Sequence, residues 1–213
     1  MPTKPASART RPAAARGPSA HVQQKQDRKR REILDAAAAV FAEHGYFNAT
    51  MKHIAERLEM QPGSLYHYFP SKEAALEEIC RVSAVEFCDR LREIIARGGP
   101  AVDMVREGML SHLTSDRRAY VESFAFSRRN LPPGVLAELN TLARNYRQLW
   151  RKVFTLGAER GEWHAGLDAD VAADAVLALC NSAATILGHR RSGDAQKSAA
   201  LWIDLFLHGS VKR

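Results

Sequence analysis

Between residues 45 and 72 the chain carries so many helix start and stop signals that only short helices joined by tight turns fit there. Gly45 follows Glu43-His44 as a stop signal. Thr50 is a good N-cap for the next helix, whose apolar stripe is Met51, Ile54, Ala55 and Leu58. Only Glu59-Met60-Gln61 separate that helix from Pro62, and proline is favoured in the first turn of a new one, here to about Tyr68. Pro70-Ser71 breaks the chain again, and Ser71 caps a long helix through about Arg97. Upstream, Ile33, Ala37, Val40 and Phe41 recur at helical spacing behind Asp27 and the cluster Arg28-Lys29-Arg30-Arg31. Three helices, the second and third joined by a three-residue turn, make a helix-turn-helix.

The remainder also reads as helices. Gly98-Gly99-Pro100 precedes one over about 101–114, and another over 116–129 ends at Leu131-Pro132-Pro133. A long helix over 133–160 stops at Gly161, Asp168 caps one over 169–189, and Ser192-Gly193-Asp194 introduces the last, ending near His208-Gly209. No alternating strand pattern interrupts them. The expected fold is all-α with about nine helices: a disordered basic tail over 1–26, a helix-turn-helix head over 27–72 and a helical body over 73–213. Small Ala55 suits a close helix crossing. Leu65 and Phe69 pack the third helix inward, leaving Gly63, Ser64, Tyr66, His67 and Tyr68 for the outer faces.

Charge divides the chain in the same place. Residues 1–72 carry 12 Lys and Arg against 6 Asp and Glu, whereas residues 73–213 carry 19 against 18. A basic third on a nearly neutral body points to a polyanion, with nucleic acid ahead of a membrane surface. The tail is either a solvated leader or an arm reaching phosphates or the minor groove. Arg28 and its neighbours oppose the dipole at a helix N-terminus, which favours a phosphate or minor-groove role over a merely solvated start.

Other classes fall away. The apolar run Val171 to Leu187 is broken by Asp174 and Asn181, so no membrane span is expected. Lacking an apolar leader, the N-terminus gives no secretory signal. Cys80, Cys88 and Cys180 make an odd set without a C-x-x-C pair, so a reduced cytoplasm is the expected location. Nucleophile elbow, zinc-protease, Walker and dinucleotide motifs are missing, so no enzyme and no cofactor are expected. His67 has no second ligand at metal spacing, and His112, His164, His189 and His208 sit near helix ends, where charge–dipole chemistry suffices.

Thr50-x-x-x-Ile54-Ala55, then Pro62-Gly63-Ser64-Leu65-Tyr66-His67-Tyr68-Phe69-Pro70-Ser71-Lys72-Glu73, resembles the N-terminal signature of TetR-family transcriptional regulators from Ile33 to Leu76. The resemblance implies an all-α homodimer with this DNA-binding head and a variable ligand-binding body, repressing transcription until a small molecule releases it from DNA. Carried onto this chain, it gives Thr50 and Tyr66 to phosphates and Lys72 to a phosphate at the start of the fourth helix. Lys52, Gly63, Ser64 and His67 would meet bases or the backbone between them. A cation beside a helix N-terminus opposes the dipole, which agrees with a phosphate opposite Lys72. Two positions depart from the pattern: Glu59 stands where the turn usually has glycine, and Gln61 where a Ser or Thr cap is usual. A left-handed Glu59 would cost roughly 1 kcal/mol, and a remodelled turn is one way out.

In the body, Phe87, Tyr120, Phe124, Tyr146, Trp150, Phe154 and Trp163 are interior candidates. Tyr146, Trp150 and Phe154 at helical spacing are ordinary core, but Arg147 and Arg151 flank the same stripe and would want an anion. Arg147-x-x-Trp150 through Gly157, Gly161 and Leu167-Asp168 is similar to TetR regulators that sense acyl-CoA thioesters. That likeness implies an apolar cavity with arginines for phosphates, and the ligand candidates are Phe87, Tyr120, Phe124, Arg147, Trp150 and Arg151. Asn181-Ser182-Ala183 and Gly188-His189-Arg190 stand where aromatics would be expected in such a sensor. A small-residue stripe, Ala172, Ala175, Val176, Leu179, Ala183 and Ile186, and a bulky one, Leu201, Trp202, Leu205 and Phe206, suit a four-helix dimer seam. Such a dimer would place two recognition helices about one DNA turn apart, roughly 34–36 Å. The alternatives are a DNA-binding dimer without an effector and a membrane-surface protein using the basic tail.

Overall fold

A computed structural model describes residues 20–114, 131–188 and 192–208, and eight helices run through them. They are α1 (Ala20–His44), α2 (Met51–Arg57), α3 (Pro62–Tyr66), α4 (Lys72–Arg97), α5 (Ala101–Thr114), α6 (Pro133–Glu159), α7 (Ala169–Gly188) and α8 (Ser192–His208). The expected helix over 116–129 lies outside the described residues. One boundary moves: α1 begins at Ala20 rather than near Asp27. Residues 20–26 hold neither proline nor glycine, and Ala, Gln and Lys among them are good helix formers. Gln23 Nε2 donates to Asp27 Oδ1 one turn on, at 3.3 Å.

The helix starts are fastened where hydroxyl and carboxylate side chains were expected to fasten them. Ser71 Oγ accepts the Ala74 N–H at 3.2 Å, and Asp168 Oδ1 accepts the Asp170 and Val171 N–H groups at 2.8 and 3.0 Å. Each takes up backbone donors that a helix start leaves unpaired. At the other end of α4, Gly98 and Gly99 have φ of 74° and 114°, conformations that a side chain would strain. The third helix is shorter than expected. It stops at Tyr66, and the Tyr68 and Phe69 N–H groups both turn back to the Leu65 carbonyl at 2.9 and 3.1 Å.

Two apolar cores result. The head core gathers Ile33, Ala37, Val40 and Phe41 of α1, Ile54 and Ala55 of α2, Leu65 and Phe69 at α3, and Leu76 and Ile79 of α4. Leu131 and Leu139 complete it from the body side, so the head does not close on residues 27–72 alone. The body core joins Leu91 and Ile94 of α4, Met104, Val105 and Met109 of α5, Trp150, Val153 and Phe154 of α6, and Val176 of α7. Helices α4 and α6 therefore thread both cores. Gly108 makes one close approach possible: a Cβ there would lie 2.6 Å from Trp150 Cη2.

The two expected stripes of the last helices divide between inside and outside. Ala172, Val176 and Ala183 turn into the chain's own core, as does Ile203 of α8. Ala175, Ile186, Leu201 and Leu205 face outward, with Leu201 64% and Leu205 73% exposed. Trp202 and Phe206 are half-buried between the two groups.

Candidate nucleic-acid interface

The turn between α2 and α3 sets the presentation of the third helix. Met60 N–H bonds back to the Ala55 carbonyl at 2.9 Å and Glu59 N–H to the Glu56 carbonyl at 3.1 Å, the paired bonds of a Schellman closure. That closure needs a left-handed residue, and Glu59 supplies it with φ 53°, the one non-glycine with positive φ among the described residues. The departure at Glu59 is thus absorbed as local strain, and the turn keeps its regular hydrogen bonds. Gln61 gives no side-chain cap to α3. Pro62 at the first position removes one of the donors a cap would serve, and the Ser64 N–H bonds the Gln61 carbonyl at 3.0 Å.

With Leu65 and Phe69 fully buried, Gly63, Ser64, Tyr66 and His67 are left on the exposed side. Tyr66 is 52% exposed and Gly63 has open space where a Cβ would stand, so both allow close approach of a large partner. Thr50 Oγ1 caps α2 by accepting the His53 N–H at 3.2 Å, which leaves the hydroxyl proton to donate. Lys52 is exposed and pairs loosely with Glu56 at 3.6 Å, a surface pair too weak to compete with a polyanion. Arg28 is exposed on α1, but it stands two turns past the helix start at Ala20, so the dipole argument for it no longer applies. The lengthened α1 forms one wall of a groove of about 590 Å³, Gln23, Gln26 and Asp27 facing Ser64, His67 and Tyr68. Sequence reasoning missed this wall because it assigned residues 20–26 to the tail.

Lys72 has partners of its own within the chain. Its Nζ donates to the carbonyls of Tyr46, Phe47 and Ala49 at 3.0, 3.1 and 3.2 Å and lies 4.7 Å from the centre of the Tyr46 ring. An ammonium has three protons, and all three are engaged here. The Tyr46 hydroxyl donates to Glu73 Oε1 at 3.1 Å, so burial and this carboxylate together push the phenol above its ordinary range. Lys72 and Glu73 thus fasten the start of α4 to the loop between α1 and α2, and the loop carbonyls supply the negative ends that the dipole argument gave to a phosphate.

Comparison with known proteins agrees with this geometry. Residues 33–79 match the family described as bacterial regulatory proteins, tetR family, and residues 98–185 match a tetracyclin repressor-like C-terminal domain. The HTH-type transcriptional repressor KstR2 of Rhodococcus jostii RHA1 is 31% identical over 154 residues, covering 68% of this chain and 72% of that relative. The chain belongs to the TetR family. It is a DNA-binding transcriptional regulator, and its relatives are regulators rather than enzymes. Its fold is shared with the ketosteroid regulator KstR2 of Mycobacterium tuberculosis, at TM-score 0.75 and 24% identity over 87% of this chain and 96% of that one. AibR, solved with isovaleryl coenzyme A and operator DNA, shares it at TM-score 0.64 and 19% identity over 80% and 95%.

In the body of this TetR-family chain, the ligand candidates separate. Phe87 is half-buried and stacks on His112, with ring centres 4.5 Å apart and planes 12° from parallel. His112 Nδ1 lies 3.2 Å from the Tyr146 hydroxyl, and Tyr146 meets Trp150 edge to face at 6.1 Å. Trp150 is fully buried. Tyr120 and Phe124 lie outside the described residues. Arg147 and Arg151 find their anions within the chain: Arg147 grips Asp174 at 2.5 and 3.0 Å and Asp170 at 2.9 Å, and Arg151 reaches Asp170 at 2.8 Å. They fasten α6 to α7 on a partly exposed surface instead of offering free charge to a pocket.

His112 itself was read as a helix-end charge, and the structure corrects that. It is 3% exposed, burial pulls its pKa down to about 4, and it is therefore neutral near pH 7. Its Nε2 is buried without a hydrogen-bond partner among the described residues. The signal was its spacing, one turn beyond Gly108 on the buried side of α5. The cysteines offer no contrast of this kind. Burial pushes the Cys80 and Cys180 thiols up to about 12, which removes the thiolate a redox sensor needs.

Proposed function

We propose that this regulator is a repressor that binds a palindromic operator as a homodimer and is released by a small apolar effector, an acyl-CoA thioester being the first class to test. The observation that carries the DNA half is the exposed set Gly63, Ser64, Tyr66 and His67 standing on a third helix whose other side is locked by Leu65 and Phe69. In this reading Thr50 and Tyr66 contact phosphates, Lys52, Gly63, Ser64 and His67 meet bases or the adjacent backbone, and Arg28 adds a phosphate contact. Lys72 acts from behind them, by holding the loop that precedes Thr50.

The outward Ala175, Ile186, Leu201 and Leu205 support a dimer seam through α7 and α8. Exposed apolar side chains on two neighbouring helices, Ile186 on α7 with Leu201 and Leu205 on α8, are the composition of a subunit interface. For the effector, the support is the stack of Phe87, His112 and Tyr146 with an unpaired imidazole nitrogen, together with the acyl-CoA bound by the structural neighbour AibR. A neutral imidazole suits a carbonyl or hydroxyl group on an otherwise apolar molecule.

Fluorescence anisotropy on DNA from the region upstream of its own gene, with and without isovaleryl and longer acyl-CoA thioesters, tests both halves. Tight, salt-sensitive binding reversed by a thioester is the expected result. Binding that no thioester moves would keep the regulator and discard that effector class. Sedimentation of the free protein decides the dimer.

A further inference from the structure

A chain of charged side chains runs from the middle of the molecule to the end of the DNA-reading helix. Glu138 of α6 takes Arg81 of α4 in a two-pronged contact, Nε at 2.8 Å and Nη2 at 3.2 Å. Arg81 Nη1 donates at 2.9 Å to Glu78 Oε2, one turn earlier on α4. The other oxygen of that same carboxylate, Oε1, holds Arg30 Nε of α1 at 3.4 Å. Arg30 Nη1 in turn donates to the Tyr68 carbonyl at 3.2 Å, and its guanidinium lies 4.4 Å over the Phe69 ring. Three helices and the turn that closes α3 are linked in sequence, with Glu78 as the bridging carboxylate.

The two ends of this chain matter to function. Tyr68 and Phe69 form the closing turn of the recognition segment, so the Tyr68 carbonyl reports the placement of Ser64, Tyr66 and His67. Glu138 lies on a helix of 27 residues whose first turns sit against the head core through Leu136, Leu139 and Leu142 and whose later turns carry Tyr146, Trp150 and Phe154 in the body core. A planar guanidinium held at both ends transmits orientation as well as charge. Partly exposed pairs such as these contribute little to stability individually, so their value here lies in geometry.

We propose that Arg30 is a positioning residue for the recognition segment and that Glu138, acting through Arg81 and Glu78, fixes the orientation of Arg30, so that a displacement of α6 in the body loosens the DNA-reading helix. Only the origin of that displacement rests on the effector reading above; the link itself is a property of the free protein.

Amide hydrogen exchange on the full-length protein, without DNA or ligand, tests the link. Glu138→Gln should speed exchange of the Tyr68 and Phe69 amides by roughly fivefold, the lower end of ordinary coupling between sites, while α5 amides keep their rates. Arg30→Met should do the same, and the double variant should be no faster than Arg30→Met alone, because both cut one chain. Glu138→Asp, which keeps the carboxylate, should recover most of the protection. Should Arg30→Met fold poorly, Arg30→Lys, which keeps the charge and loses the fork, takes its place. Faster exchange confined to the first turns of α6, or effects of the two substitutions that multiply, would overturn the proposal. Release of operator DNA by isovaleryl-CoA is a separate readout: its absence in the wild-type protein counts against the effector reading and leaves the exchange result standing.

Discussion

A single buried imidazole gives the body a measurable pH response. His112 takes up a proton near 6.5 in the unfolded chain but only near 4 in the folded one, because burial opposes its charge. Its contribution is therefore complete above pH 6.5 and is lost as the pH falls toward 4, at about 1.4 kcal/mol per pH unit. Urea unfolding from pH 7 to 4 should show this slope in the wild-type protein, and the difference from His112→Phe isolates it. Lys72 makes a second single-residue test. Lys72→Met should cost about 1–3 kcal/mol through three unpaired loop carbonyls while leaving the salt dependence of operator binding unchanged. Arg28→Ala should instead reduce that slope by about 0.9. Equal slopes for wild type and Arg28→Ala would take Arg28 off the phosphates. These roles were only partly visible in the chain. That Lys72 needs a negative partner follows from its place at a helix start, but its partners are backbone carbonyls 23 to 26 residues earlier, which no side-chain pattern announces. Arg147 and Arg151 raised the same need, and the answer lay on another helix at Asp170 and Asp174.

Individual helices were the most legible level, because their ends are written in local chemistry. Ser71, Asp168, Gly98 and Gly161 mark boundaries that hold to within a residue or two. Register of packing was not legible in the same way, since it depends on what a facing helix brings. Glu59 and Gly108 show the difference. At Glu59 the requirement is backbone alone, so Glu59→Gly should raise stability by about 1 kcal/mol by relieving the left-handed strain, seen as a higher urea midpoint. At Gly108 a helix-interior glycine would ordinarily gain about 1 kcal/mol on becoming alanine, but the added methyl meets the fully buried Trp150 ring. Gly108→Ala should therefore lose stability by about 1–2 kcal/mol net, overpacking outweighing propensity. An unfolding curve shifted to higher denaturant would show that the Trp150 ring can move aside.

Across the whole molecule, the separation into a basic head and a neutral body is real in charge but not in packing. The outer side of α7 and α8 is where the assembly is open to test: Leu201→Glu with Leu205→Glu should leave a folded monomer that binds a palindrome far more weakly than the wild type. A dimer that survives both substitutions would place the seam elsewhere. The head, meanwhile, shares its core with Ala75, Leu76, Ile79 and Cys80 of α4 and with Leu131 and Leu139, all beyond residue 72. Hybrid regulators are often imagined as a reading head spliced to a foreign sensor at the first residue of the connecting helix. In this protein a splice at residue 72 would strip the head of those six core residues and of Glu78, the carboxylate that holds Arg30. A working chimera would have to carry the first turns of both α4 and α6 along with the head, so the unit that can be exchanged is discontinuous in the chain.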